Sequence, residues 1–417
     1  MEQPRRFSSR TVPLNALDLS LVTVFGTVVA TALLSRWSRL PITALEIAAG
    51  IVLVAVIGLN LPHGTDSILV LGSLFIVFLA GLETNFDFLR KNLSRALMVG
   101  LPAFLVPFGG LFGLLIGPLH APLLVSIIGA TVLADTSISI VYTTLKQFEL
   151  SELPFGRLVL AITLCVNLAE DATITTTTFL STSGVLFTLA ILGALAGAAI
   201  VLPRFQRALR DPPGKSSFSN LPARALLFSL AVLALLSTLV GVPGILFVFL
   251  MGLLFSRWAA EGFLKDTRQL AFAVFVPLYF LAVGLKVDAA FVLDHWAVLA
   301  ILLGTGTALK IGTVYPLSRR ILGRARAAPM SVLFNTRLTS ATVILTLTLG
   351  LGLLPVGWYS LCITAVVIFS LVSATALRFF PAFRSVAAAQ ALFRGGEELT
   401  PDRSGDSRGP IPIVTRD

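Results

Sequence analysis

Uninterrupted apolar runs of about 20 residues recur along this chain, and they limit its possible folds more than any motif does. A helix of that length crosses a bilayer core. In hydrocarbon every backbone polar group must be satisfied within the protein, which leaves only helices and closed barrels. The runs are continuous and not alternating, so a strand barrel is excluded. Of the 417 residues, 56% are hydrophobic and 12% charged, against about 25% charged in a soluble domain. The sequence predicts an all-α polytopic membrane protein seated in a lipid bilayer. Thirteen candidate transmembrane helices can be marked, at 15–34, 42–60, 67–89, 96–117, 121–145, 156–180, 183–203, 223–241, 243–258, 269–285, 295–315, 327–352 and 357–380. The ninth is short, as a partial span would be.

Residues 1–380 are thus expected to form one transmembrane domain, and the polar, Gly/Pro/Ser-rich stretch 381–417 a disordered cytoplasmic tail. The net charge of +10 would suggest nucleic acid in a soluble protein, but here the basic residues sit in short connections. Connections after odd-numbered segments carry nineteen Lys and Arg, and those after even-numbered segments carry Lys286 alone. This asymmetry predicts a multi-pass protein of the cell membrane with its C-terminus in the cytoplasm. It also predicts an external N-terminus, with which Arg5, Arg6 and Arg10 disagree. The tail is too short for an attached nucleotide-binding domain. The first apolar run lacks a cleavage pattern and is expected to remain a helix. Cys165 and Cys362 lie inside apolar segments, which argues against a disulfide or a bound metal. Nothing in the sequence calls for a cofactor or for enzyme chemistry.

Ionisable residues inside membrane segments are rare and mark function. The sixth segment holds Asn167-Leu168-Ala169-Glu170-Asp171, and the other charges well inside spans are Glu46, Asp135, Lys310 and Arg337, with Asp18 and Glu83 near span ends. Asp135 opens Asp135-Thr136-Ser137-Ile138-Ser139, whose hydroxyls either satisfy backbone groups at a local break or bond back to their own helix. Lys310 either reaches for the interface or serves as counter-ion to Glu170 or Asp171. Arg337, in mid-segment, calls for an acid nearby, and Glu46 for a structural pairing. Gly304-Thr305-Gly306 reads as helix packing. The third segment ends Phe78-Leu79-Ala80-Gly81-Leu82-Glu83 and the tenth Phe280-Leu281-Ala282-Val283-Gly284-Leu285-Lys286. By charge parity they run in opposite directions, which is the mark of an inverted-repeat transporter.

With Thr136-Ser137, Val141-Tyr142, Gly156-Arg157, the run from Lys310 to Pro316 and Leu338-Thr339, these stretches resemble one family from roughly residue 40 to 380. It is the second branch of the cation:proton antiporters in the sodium/proton exchanger superfamily. The resemblance implies a homodimer of thirteen-helix subunits with two crossed, locally unwound helices, here 121–145 and 327–352. It places the ion site beside the crossing on 156–180, and Lys310 matches the family's membrane-embedded lysine. Read without gaps, the family's aspartate falls on Asn167 and the residue before it on Val166. Glu170 and Asp171 follow three and four residues later, on the same helical face as Asn167. A shifted alignment would put these two acids on the family's paired positions instead. Asp135 and Arg337 also depart from the family pattern and look like traded charges.

The implied activity is exchange of sodium or potassium for protons by alternating access. Asp171 is the expected principal carboxylate, and Glu170 either a second carboxylate or the partner of Lys310. Asn167, Thr136 and Ser137 would supply neutral oxygens. A cation channel or uniporter, a non-transporting sensory descendant, and carriage of an organic anion by Arg337 and Lys310 stay open beside it.

Overall fold

The computed structural model describes residues 16–58, 72, 74–76, 78, 79, 82, 86–151, 153–181, 248, 252, 269, 271–383 and 385–394. Among them the elements are all helical: α1 Ala16–Ser38, α2 Ile42–Ile57, α3 Phe86–Ile116, α4 Leu123–Ala134, α5 Ile138–Gln147 and α6 Pro154–Ser181. After a π-turn at Ala271–Phe275 come α7 Val276–Leu285, α8 Ala289–Asp294, α9 Trp296–Leu322, α10 Arg324–Leu333, α11 Thr339–Gly350 and α12 Val356–Leu377. A 3₁₀ turn at Pro381–Phe383 and α13, Val386–Arg394, close the described chain. Among the described residues, five helical stretches are long and apolar enough to cross a bilayer, counting α4 and α5 as one.

Side chains that a soluble protein would bury face outward here. Val22, Phe25, Val29 and Leu33 of α1, and Met98, Leu101 and Leu105 of α3, are exposed, as lipid-facing surfaces require. The helices enclose a core in which α3 lies against α4, α6 and α9, and α12 against α4, α9 and α11.

Both segments expected to unwind do so. The predicted helix 121–145 is interrupted between Ala134 and Ile138, and 327–352 between Leu333 and Thr339. The segment expected at 96–117 begins earlier, at Phe86, and the one at 295–315 runs on to Leu322. Candidate helices 183–203, 223–241 and 243–258 lie outside the described residues apart from Val248 and Gly252, as do Arg5, Arg6 and Arg10. Of Phe78 to Glu83, only Phe78, Leu79 and Leu82 are described, all three helical and buried.

The polar end of the chain needs a correction. Disorder was expected from residue 381, yet α13 is a helix with Ala389 and Phe393 buried. Phe393 stacks on Phe155 at 4.0 Å, and Phe383 meets Phe148 edge-on at 5.0 Å. Arg326 donates to the Leu392 carbonyl (2.9 Å) and Gln390 to Glu149 (2.9 Å). Phe383, Ala389 and Phe393 anchor this segment, whose nine helical residues are mostly apolar, against the ends of α5, α6 and α10. Residues 395–417 lie outside the described residues.

The α2–α7 seam rests on two glycines. A Cβ at Gly50 would lie 2.2 Å from the Leu281 carbonyl oxygen, and one at Gly284 would lie 2.1 Å from that of Ile47. Small residues let membrane helices approach this closely. Gly284→Val is therefore expected to lose about 1–3 kcal/mol, the usual cost of forced overpacking, read as a lower melting temperature in detergent. Glu46 lies in α2 with both carboxylate oxygens buried and without a hydrogen-bond partner among the described residues. The structural pairing expected for it is absent there.

Candidate functional site

A broken helix frees carbonyls and amides that would otherwise bond within it, and in a membrane they need replacements. Here each break supplies much of what the other lacks. The Ser137 amide donates to the Thr336 carbonyl (2.8 Å), and the Thr136 hydroxyl to the Phe334 carbonyl (3.0 Å). The hydroxyls of Ser137, Ser139 and Thr339 form a cluster, with Ser137 to Thr339 at 2.7 Å. From outside the crossing, Ser370 donates its hydroxyl to the Arg337 carbonyl, and Asn335 donates to Ser373 (3.3 Å). Of the two fates open to Thr136 and Ser137, the structure takes the bridging one.

The charged side chains gather around this crossing. Asp135 is fully buried; one carboxylate oxygen accepts the Thr136 amide and the other the Ser340 hydroxyl (2.9 Å). On α6, Asn167, Glu170 and Asp171 are all buried, while Leu168 between them is 38% exposed. The shared helical face read from the spacing is real. Glu170 is enclosed beside Asp135 and Ser340, and neither of its oxygens has a hydrogen bond of good geometry. Asp171 has no hydrogen-bond donor among the described residues, yet it is not sealed in as Glu170 is.

Asn167 has a definite orientation. Its side-chain nitrogen donates to the carbonyls of Thr136 (2.9 Å) and Thr163 (3.0 Å). Carbonyls only accept, so the amide nitrogen must point there, and the amide oxygen is left as the free acceptor. Asn167 therefore holds the first break open from the side.

The two bases do not pair as expected. Lys310 is fully buried, but its ammonium donates to the carbonyls of Ala103 (2.9 Å) and Ala134 (2.6 Å), not to Glu170 or Asp171. Ala134 ends α4, so the positive charge sits on the negative end of that half-helix. Lys310 stays within electrostatic reach of Asp135 and Glu170 without touching either. It also does not extend to the interface. Arg337, likewise fully buried, donates to the Gly306 carbonyl (3.1 Å) and lays its guanidinium 3.6 Å over the Phe369 ring. A desolvated cation on an aromatic face gains about 2 kcal/mol. Its Nε and Nη1 have no partner among the described residues, so the direct Asp135–Arg337 pair suggested by traded charges is not formed.

Sequence reasoning did not mark Ser340, Phe369 or Ala103. Ser340 carried a signal, since Thr339-Ser340-Ala341-Thr342 repeats the hydroxyl density of the first break. Ala103 acts through its backbone, and its signal is Pro107 four residues on, which has no N–H to give the Ala103 carbonyl. Gly306 does serve packing: a Cβ there would lie 2.9 Å from Phe369 and 3.4 Å from Arg337.

Residues 23–381 match the family described as sodium/hydrogen exchanger, transmembrane. The chain is 25% identical over 311 residues to the probable Na(+)/H(+) antiporter 3 of Methanocaldococcus jannaschii, covering 70% of this chain and 77% of that protein. It is 27% identical over 298 residues to the putative Na(+)/H(+) antiporter YjbQ of Bacillus subtilis, covering 64% of this chain but only 47% of that one. With the Na(+)/H(+)-K(+) antiporter GerN of Bacillus cereus it shares 29% identity over 232 residues, 52% of this chain and 57% of that protein. The structure of the sodium proton antiporter MjNhaP1 from Methanocaldococcus jannaschii superposes with a TM-score of 0.55 at 11% identity, over 91% of this chain and 98% of that one. At that identity the likeness establishes the fold alone.

Proposed function

The chain belongs to the sodium/hydrogen exchanger transmembrane family, and on that premise we propose that it exchanges sodium or potassium for protons by alternating access. The observation that carries this reading is a charge imbalance. Three buried carboxylates, Asp135, Glu170 and Asp171, surround the crossing with two buried cations, Lys310 and Arg337. Uncompensated charge in a dry interior is too costly to keep, so the site needs one further monovalent positive charge. A proton or an alkali cation can supply it, but not both at once. That mutual exclusion is the coupling antiport requires.

In this reading Asp171 is the exchanging carboxylate. The free oxygens of Asn167 and the hydroxyl cluster at Ser137 are the hard neutral ligands an alkali cation prefers, and Thr136 shapes the break. Glu170 and Asp135 form the second carboxylate pair behind Asp171. Lys310 and Arg337 set the field without direct contact. Alternating access is movement of the stitched crossing against helices of a homodimeric scaffold. The protein works in the cell membrane with its C-terminus in the cytoplasm.

The test uses inverted vesicles with a preset proton gradient and a pH-sensitive dye. Sodium or potassium is expected to dissipate the gradient. Asn167 favours a second reading, a non-transporting descendant, because its amide is committed to holding backbone where relatives by resemblance carry an acid. No cation-dependent signal from folded, inserted protein would decide for that second reading.

A further inference from the structure

A cavity of about 610 Å³ lies away from the crossing, where α1 turns into α2. That volume falls within the range of about 300–1,000 Å³ usual for small-molecule sites. Arg36 and Arg39 from the turn and Arg378 at the end of α12 line it, with Thr144 and Gln147 of α5 and Phe383. No acidic side chain among the described residues lines it, and none of the three arginines has a side-chain hydrogen bond or ion pair there. Three like charges share one concavity with no acid among the described residues to balance them.

Helix ends account for two of these arginines singly. Arg36 is in the last turn of α1 and Arg378 caps α12, where a positive charge meets the negative end of each helix. Arg39 has no such account. Its φ is 52°, in the left-handed region, which costs a residue with a Cβ about 1–2 kcal/mol and is ordinarily given to glycine just after a helix. The turn is held in that shape by Arg39 N–H to Ser35 O (2.7 Å) and Ser35 hydroxyl to Leu40 O (2.8 Å). A strained backbone thus brings a third guanidinium to a cavity already holding two.

We propose that this cavity binds a phosphate-bearing anion across Arg36, Arg39 and Arg378. Guanidinium forks match phosphate oxygens two at a time, and Thr144 and Gln147 add neutral donors. The occupant is either the headgroup of an anionic phospholipid or a soluble phosphate. Once bound, it ties the α1–α2 turn to α5 and to the end of α12.

The full chain, purified in neutral detergent, is melted with phosphatidylglycerol, with phosphatidylcholine, with inorganic phosphate, and with chloride at matched ionic strength. Phosphatidylglycerol over phosphatidylcholine, or inorganic phosphate over chloride, is expected to raise the melting temperature by about 2–4 °C. A shift with phosphatidylglycerol alone identifies a lipid headgroup, and an equal shift with inorganic phosphate a soluble anion; either supports the site. The triple variant Arg36→Gln, Arg39→Gln, Arg378→Gln is expected to lose the shift. Arg39→Gly is expected to melt higher than the parent without ligand, by relief of the turn, yet to lose most of the ligand shift. The exposed pair Arg319→Gln, Arg320→Gln, outside the cavity, should retain it. No shift with either ligand, a shift undiminished in the triple variant, or equal loss in the Arg319/Arg320 control overturns the proposal.

Discussion

Asp171→Asn is expected to reduce cation-driven proton movement in inverted vesicles to that of vesicles without the protein. The three acids at the crossing are not equivalent. Both oxygens of Asp135 are engaged, by Thr136 and by Ser340, so exchanging its ligand means dismantling the first break. Glu170 is fully enclosed. Asp171, though buried, alone of the three keeps some exposure, 7%, and takes no donor among the described residues. Its replacement by an isosteric amide keeps the shape and removes the charge that proton and cation contend for. Three carboxylates against two bases become two against two, and the imbalance on which the proposed exchange rests is gone. Asp171→Glu, which keeps the charge, should retain partial activity. Undiminished exchange by Asp171→Asn would falsify the assignment of this carboxylate, while total absence of exchange in the unaltered protein would defeat the functional reading itself.

Lys310→Met is expected to act on stability even more than on rate. The ammonium holds two backbone carbonyls that have no other donor in evidence, those of Ala103 and Ala134. Leaving a buried acceptor bare costs about 1–3 kcal/mol. Removing one member of a buried charge set costs about 3–5 kcal/mol, because the opposite charges stay behind. The larger cost sets the floor, and a loss of at least about 3 kcal/mol is expected, visible as a large fall in melting temperature and in the yield of folded protein from detergent. Lys310→Arg should recover little, since a planar fork cannot take the place of a compact ammonium between those two carbonyls. A melting temperature unchanged in Lys310→Met would show that these bonds contribute nothing to stability.

Which parts of this were legible in the sequence follows from how each part is encoded. Apolar run length is a direct readout of a bilayer's thickness, so the helical class and most described spans could be read off, as could the two breaks from hydroxyl density and resemblance. The face shared by Asn167, Glu170 and Asp171 follows from helical spacing alone. Pairing was not legible. Lys310 and Arg337 invited carboxylate partners, because charge suggests opposite charge. Both instead found backbone carbonyls and an aromatic ring; the carbonyls Lys310 takes are ones freed by Pro107 and by the end of α4, a cue that charge-pair reasoning passes over. α13 was missed for a related reason: composition judged a nine-residue segment by its polar surroundings, while its order comes from Phe155 and the ends of helices distant in sequence.

The stitch between the two breaks also bears on how such a chain is made. Thr136 and the carbonyl of Phe334 that receives its hydroxyl are 198 positions apart. When the first break enters the membrane during synthesis, the residues that will satisfy it have not yet been translated. The early half must wait with open backbone in the bilayer, sheltered by water, lipid headgroups or insertion machinery, because hydrocarbon offers those groups nothing. The crossing therefore closes only when residues 334–339 arrive, long after the first break has entered the membrane.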